Sequence, residues 1–307
     1  MTHDVNPVPC HSHNDYWRRV PLYSALTAGC ISIEADVWLD GDGDELRVGH
    51  TPQTVLRGHS LRSLYLNPLL EMLQSHNSLP DNITEPGESS LSCTGSECDR
   101  DVVGVFANDP KQSLVLLIDF KAEGERIWPH LVEQLQPLRE NGFLSYFNGS
   151  DMIDRPIVVV VTGDAPIHRA VENSTYRDIF YDAPLDKLPR ASDLSLETLS
   201  DETHSADEIE TVYNAQNSYY ASVNFRKAIG SLPLSRLSQD QLARLQSQIR
   251  AAHALGFKVR YWETPSWPVG LRNYVWRILV REGVDILNVD DLYGATRQDW
   301  RSRSWWR

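Results

Sequence analysis

The residues able to do chemistry come in short clusters, each closing an apolar run. They are His11-Ser12-His13-Asn14-Asp15-Tyr16, Ile33-Glu34-Ala35-Asp36-Val37, Val48-Gly49-His50-Thr51 and Leu117-Ile118-Asp119-Phe120-Lys121. An imidazole titrates near neutrality and suits proton transfer. Grouped carboxylates suit a hard divalent cation such as Mg2+ or Ca2+, which takes oxygen ligands. The combination points to metal-assisted cleavage of a phosphodiester. One histidine takes a proton from the attacking nucleophile and the other protonates the leaving oxygen.

Glu34 and Asp36 are two apart on a strand, so they share a face, while Ile33, Ala35 and Val37 point the other way. Two crowded carboxylates resist joint ionisation unless a counter-charge is near. Glu34, Asp36 and Asp119 are therefore the expected ligands of one divalent cation, and His13 and His50 the expected catalytic pair. His11 shares a face with His13, and three roles stay open for it: phosphate contact, support for another group, or the base itself. Lys121 shares strand parity with Asp119 and suits a phosphate oxygen. With His11, Asn14, Trp262 and Glu263 it completes the expected substrate contacts. Trp262 is an apolar wall and Glu263 a polar neighbour. The plain alternatives are solvated strand-end acids and structural histidines. The bracketing of the acids by two histidines favours function. His3, His59, His76, His130, His168, His204 and His253 receive no role.

These clusters need strands to place them. The expected strands are Pro7 to Cys10, Ile31 to Trp38, Glu45 to Gly49, Leu114 to Phe120, Ile157 to Val161, Tyr219 to Asn224, Lys258 to Trp262 and Val284 to Val289. Helical stretches separate most of them. One runs from Pro21 to Ala28 and stops at Gly29. Leu61 to Ser75 has helical spacing with Leu66, Leu69, Leu70 and Leu73 inward. Trp128 to Asn141 should kink at Pro137. Ser238 opens a capping box, and Leu271 to Arg281 is the last helix. Eight strands alternating with helices predict an α/β fold, a (β/α)8 barrel with the clusters on its rim. A single domain over residues 1–307 is expected. A surface insertion at about 79–112 is the one break in pattern, with Val102 to Ala107 packing down at its end. Trp300, Trp305 and Trp306 are expected to cap the barrel or meet a neighbour.

Composition narrows the partners. The chain has 307 residues, 41% of them hydrophobic, enough for a sizeable core. A net charge of −13 argues against a nucleic-acid binder. No apolar run is long enough for a membrane span. Residues 1–5 lack the charged and apolar regions of a secretory leader. Secretion is favoured only for a trimmed mature form, toward which the sequons at Asn82, Asn148 and Asn173 lean. Cys10 and Cys30 read as buried free thiols, and Cys93 with Cys98 as a small disulfide if secreted. Asp40-Gly41-Asp42-Gly43-Asp44 reads as a hairpin turn rather than an EF-hand, because Glu45 stands where the loop glycine belongs. Phosphate-loop, dinucleotide and serine-elbow motifs are missing.

The ordered set of motifs resembles the PLC-like phosphodiesterases, and most of all the fungal "altered inheritance of mitochondria" proteins. It rests on His11 to Tyr16, Pro21-Leu22, Glu34-Ala35-Asp36, Val48-Gly49-His50, Leu64 to Leu69 and Leu287 to Leu292. More distantly it is similar to glycerophosphodiester phosphodiesterases and sphingomyelinase D. The resemblance implies a barrel, one Mg2+ or Ca2+, His13 and His50 as catalytic pair, Glu34, Asp36 and Asp119 as ligands, and Lys121 at the phosphate. The chain has His13-Asn14-Asp15 where glycerophosphodiesterases have His-Arg-Gly, and it lacks the toxins' cysteine loop after His50. Neither substrate is carried over. The expected activity is metal-dependent cleavage of a lipid-like or glycerol-linked phosphodiester. The competing readings are a non-catalytic binding barrel and a barrel hydrolase or lyase acting on a glycoside.

Overall fold

A computed structural model describes residues 2–39, 45–78, 102–189, 213–232 and 235–300. Its strands are β1 (Val8–Ser12), β2 (Cys30–Leu39), β3 (Leu46–Val48), β4 (Leu114–Phe120), β5 (Tyr146–Phe147), β6 (Met152–Ile153), β7 (Ile157–Gly163), β8 (Ile179–Pro184), β9 (Ser218–Asn224), β10 (Lys258–Trp262) and β11 (Ile286–Val289). Eight of them pair in parallel in the order β1-β11-β10-β9-β8-β7-β4-β2, and β2 returns to β1. The sheet closes, so the fold is the expected parallel barrel.

Strand alternation gives the barrel two apolar layers. Leu116 and Ile118 of β4, Val159 and Val161 of β7, and Val259 and Tyr261 of β10 face the helices and join the large outer core. Val115, Leu117, Val158, Val160, Phe180, Tyr220 and Ile286 fill the barrel interior, with Phe147 packed among them. Both faces are buried, which is why these strands read as nearly unbroken apolar runs. Complete burial of one such side chain, Leu117 for example, is worth about 1.5–3 kcal/mol.

Two readings of the strands need correction, and they cancel in the count of eight. Glu45 to Gly49 is not a barrel strand. Its core, β3, runs antiparallel to the outer end of β2, Leu46 against Leu39 and Val48 against Val37. That pairing is the hairpin expected there, although its turn at 40–44 lies outside the described residues. The true eighth member is β8. Its run is only six residues, interrupted by Asp182 and closed by Pro184, so it carries too weak an apolar signal.

Cys10 and Cys30 are joined in a disulfide, not free thiols as expected. They sit on β1 and β2, the pair that closes the barrel, so both are buried for a covalent reason. Closing a loop of 20 residues stabilises the fold by about 3 kcal/mol in the chain-entropy account. The expected Cys93–Cys98 pair lies outside the described residues, as do Trp305 and Trp306 and residues 79–101 of the insertion. Val105 and Phe106, at the insertion's end, are fully buried. Trp300 packs edge-on against Trp276 with ring centres 5.3 Å apart.

The helices follow their signals closely. Tyr23–Ala28 ends at Gly29, whose φ is 95°. The backbone oxygen of Asn6 lies where a side chain would start. The capping box of Ser238 and Gln241 opens Gln239–Ala254. The stretch from 124 breaks at Leu135, just ahead of Pro137, giving Gly124–Gln134 and Gln136–Glu140. Of the four leucines expected inward, Leu66, Leu69 and Leu73 are buried and Leu70 is partly so.

Candidate active site

Parallel register brings the acids together. Asp36 of β2 lies beside Asp119 of β4, and Glu34 beside Leu117. Glu34, Asp36 and Asp119 each offer an oxygen within 4.8 Å of the others. Lys121 Nζ sits 2.8 Å from Asp36 Oδ2 and 2.5 Å from Asp119 Oδ2. Asp36 Oδ2 also accepts a 2.7 Å bond from the Tyr16 hydroxyl. Its other oxygen, Oδ1, is buried with no hydrogen-bond partner. A buried carboxylate oxygen without a donor is costly, and a divalent cation would satisfy it. Burial, and then the charge of Glu34, push the Asp36 carboxyl up to about 6. Burial raises Asp119 as well, against the pull of Lys121. The all-oxygen donor set and the orphaned oxygen fit a hard cation.

Three histidines surround this cluster, and their ring nitrogens separate them. His11 is fully buried, with Nδ1 2.7 Å from Ser32 Oγ and Nε2 2.8 Å from Glu34 Oε2. Both nitrogens are occupied by the protein. Burial, then the nearby Arg260 charge, lower its pKa to about 4, so the ring is neutral and Glu34 remains the charged partner. His13 is 24% exposed and its Nδ1 lies 2.8 Å from Asp290 Oδ1. Burial opposes charge on this ring, but the bond to Asp290 and the charge of Glu34 outweigh it and raise its pKa. His50 is 47% exposed, with Nδ1 3.3 Å from Asp36 Oδ2. In His13 and His50 a carboxylate holds Nδ1, which leaves Nε2 for other work.

The segment after β1 is held rigidly. Asn14 has φ 45°, the left-handed region that asparagine tolerates. Its side-chain amide lies 2.7 Å from the Tyr16 hydroxyl oxygen, so one end of the amide expected to meet substrate is already engaged. Asp15 is buried and accepts from the Ser12 hydroxyl at 2.6 Å and the Leu22 backbone N–H at 2.6 Å. Arg18 donates to Ser12 Oγ and to the Asp290 carbonyl. These bonds tie the end of β1 to the end of β11. They explain why a polar hexapeptide is almost entirely inside.

Sequence reasoning missed the floor of the site. Arg260 lies inside the barrel, 4% exposed. It donates to Asp182 Oδ2 at 3.0 Å, Asn288 Oδ1 at 2.8 Å and Ser222 Oγ at 3.1 Å, and it lies over the Tyr220 ring. The parity of β10 carried a signal, since Arg260 shares its face with Trp262. Asp182 was hidden with β8. Trp262 is half-buried at the strand end, beside Asn224 in the sheet. Glu263 is exposed, with φ 55°, a backbone state that costs energy in a non-glycine residue. A cleft of about 590 Å3 opens beside His13, lined among others by Arg226, Glu263, Leu271, Asn288 and Asp290. Trp262 does not line it. The described structure thus brings together Glu34, Asp36, Asp119, Lys121, His50, His11 and His13, with Asn14 one contact behind.

The AIM6-like phosphodiesterase domain matches residues 1–182. The "altered inheritance of mitochondria protein 6 homolog" of Arthroderma benhamiae is 37% identical over 305 residues, covering 96% of this chain and 85% of that protein. "Altered inheritance of mitochondria protein 6" of Eremothecium gossypii is 34% identical, covering 97% and 71%. Its counterpart in Saccharomyces cerevisiae is 35% identical, covering 96% and 72%. A solved glycerophosphodiester phosphodiesterase from Parabacteroides distasonis aligns at 12% identity with a TM-score of 0.46, covering 95% of this chain and 97% of that one. On the domain match and these relatives, the chain belongs to the AIM6-like phosphodiesterase family.

Proposed function

We propose that this protein is a metal-dependent phosphodiesterase acting on a lipid-like or glycerol-linked phosphodiester, with His13 and His50 as its acid–base pair. The observation that carries the reading is the Glu34, Asp36 and Asp119 cluster, in which Asp36 Oδ1 is buried without a partner. Glu34, Asp36 and Asp119 would hold one Mg2+ or Ca2+, which would supply charge neutralisation at the phosphoryl oxygens. Lys121 orients Asp36 and Asp119 and turns its remaining ammonium hydrogen toward the phosphate. His11 fixes Glu34. His50, held at Nδ1 by Asp36, takes the proton of the nucleophile at Nε2. His13, held at Nδ1 by Asp290, carries a proton on Nε2 and gives it to the leaving oxygen, whose organic group occupies the cleft beside it. Attack by water yields hydrolysis, and attack by a neighbouring substrate hydroxyl yields a cyclic phosphate.

The test is turnover of a phosphodiester panel with and without EDTA, beside His13→Ala, His50→Ala and His11→Ala. We expect EDTA to abolish turnover, and His13→Ala and His50→Ala to lower kcat by about 10²–10⁴. EDTA-insensitive turnover, or near-wild-type rates in both variants, overturns the reading. Loss confined to His11→Ala moves the proton-transfer role to that ring. Phosphorus NMR of the product separates ring closure from hydrolysis.

A further inference from the structure

Nine large apolar side chains stand well exposed among the described residues. Five of them follow three adjacent strands. Trp17 (61% exposed) and Val20 (48%) follow β1, Tyr293 (64%) follows β11, and Trp267 (76%) and Val269 (43%) follow β10. These three strands are consecutive in the barrel, and all five side chains leave their C-terminal ends, on the face that carries the site. Trp17 reaches the site directly, edge-on to His50 with ring centres 5.3 Å apart. The remaining four, Leu56, Met152, Val171 and Tyr176, are spread over the loop after β3, the β5–β6 hairpin and the connection from β7 to β8.

The residue types say what covers this sector. Two tryptophans and a tyrosine combine an apolar body with a polar tip, the character of side chains that settle at the boundary of a lipid layer. The charge of the same sector runs against that of the chain, which is −13 overall. Arg19 stands exposed beside Val20, and Arg226 and Lys227 stand exposed at the end of β9, next to β10. None of the three has a carboxylate partner among the described residues. Of the acids that follow β10 and β11 among the described residues, Asp290 is held by His13 and Asp291 by Arg272, and Glu263 has no ion pair. Arg297 lies over the Tyr293 ring, 3.8 Å from its centre. Aromatic anchors in the same sector as cations without carboxylate partners suit a phospholipid surface with anionic headgroups.

We propose that the rim carrying Trp17, Val20, Trp267, Val269 and Tyr293 is a docking surface for an anionic phospholipid layer, which seats the mouth of the barrel on the lipid. Docking extends the phosphodiesterase reading but does not depend on it, because binding is measured without turnover. The experiment is sedimentation of the full chain with phosphatidylcholine vesicles containing about one-third phosphatidylserine, followed also by tryptophan emission. We expect binding with a blue shift. It should weaken at least about tenfold in the double variant Val20→Glu/Tyr293→Glu, and in Arg19→Glu/Lys227→Glu on the anionic vesicles alone. Circular dichroism of each variant reports its folding. Turnover of a soluble, monomeric phosphodiester should stay within about twofold of wild type in Val20→Glu/Tyr293→Glu, which separates docking from catalysis. Failure of the wild type to bind, unchanged binding in a folded Val20→Glu/Tyr293→Glu variant, or self-association in place of vesicle binding overturns the proposal. Vesicle binding by a chain that turns over no phosphodiester sustains docking while the catalytic reading falls.

Discussion

The barrel interior is two environments stacked on the same strands. In the lower half Val115, Leu117, Val158, Val160, Phe180 and Ile286 meet as an apolar plug. In the upper half Glu34, Asp36, Asp182, Arg260 and Asn288 are equally buried, yet they are polar or charged. Strand β4 shows the change within three positions of one face, from Val115 and Leu117 to Asp119. The difference teaches where each job is done. The lower half needs only shape and supplies folding energy. The upper half places ionisable groups where burial is expensive, so every charge there has a partner close by. Two carboxylate oxygens there still lack a hydrogen-bond partner, Asp36 Oδ1 within the acid cluster and Asp182 Oδ1 beside Arg260.

The sharpest way to break the comparison is at Arg260. Arg260→Met leaves Asp182 buried without its counter-charge and should destabilise the protein by about 3–5 kcal/mol. Asp182 already has its carboxyl pushed up by burial. A carboxyl whose pKa is raised on folding weakens the fold as pH rises and ceases to do so once protonated. The loss in Arg260→Met should therefore shrink on acidification, and Arg260→Met/Asp182→Leu should recover much of it. Urea unfolding at several pH values measures both. Turnover should fall even in folded Arg260→Met, because Arg260 is among the charges that keep His11 neutral and Glu34 ionised. Leu117→Ala, one layer down, should cost about 2–5 kcal/mol by opening a cavity, with kcat unchanged for the folded fraction. An equal drop in kcat in both variants would erase the distinction between the halves.

The sequence disclosed these halves unevenly, for physical reasons. Buried parallel strands announce themselves as apolar runs, so β2, β4, β7 and β9 were legible. The acids and histidines were legible as well, since they interrupt such runs near their ends. Parity placed Glu34 and Asp36 inward correctly, as it did Asp119 and Lys121. What was not legible depends on pairings between distant segments. The disulfide of Cys10 and Cys30 joins strands that meet only because the barrel closes. The bond between Arg260 and Asp182 spans 78 positions, and one end lies on a strand too short and too polar to be read. β3 resembles a barrel strand locally, and only its antiparallel partner reveals it as an arm that delivers His50. The separation of His11 from His13 was also beyond sequence, because it rests on which ring nitrogens the protein already occupies.

The smallest expected effect addresses that separation. The raised pKa of His13 depends in part on Asp290, whose carboxylate accepts the Nδ1 proton. A histidine whose pKa is raised on folding is charged below that value and loses its proton as pH rises through it. If His13 is the proton donor to the leaving oxygen, the alkaline limb of kcat/KM reports its titration in the free enzyme. Asp290→Asn removes the charge but keeps an acceptor, so the His13 pKa falls and the alkaline limb moves to lower pH. The shift should be small, because the Asp290 side chain is 65% exposed and solvent screens an exposed pair strongly. The acid limb, set by the base, should stay in place. An NMR titration of the His13 ring in the same variant should move with the alkaline limb. A displaced acid limb with a fixed alkaline one would exchange the roles of His13 and His50, and no movement in either would remove His13 from proton transfer.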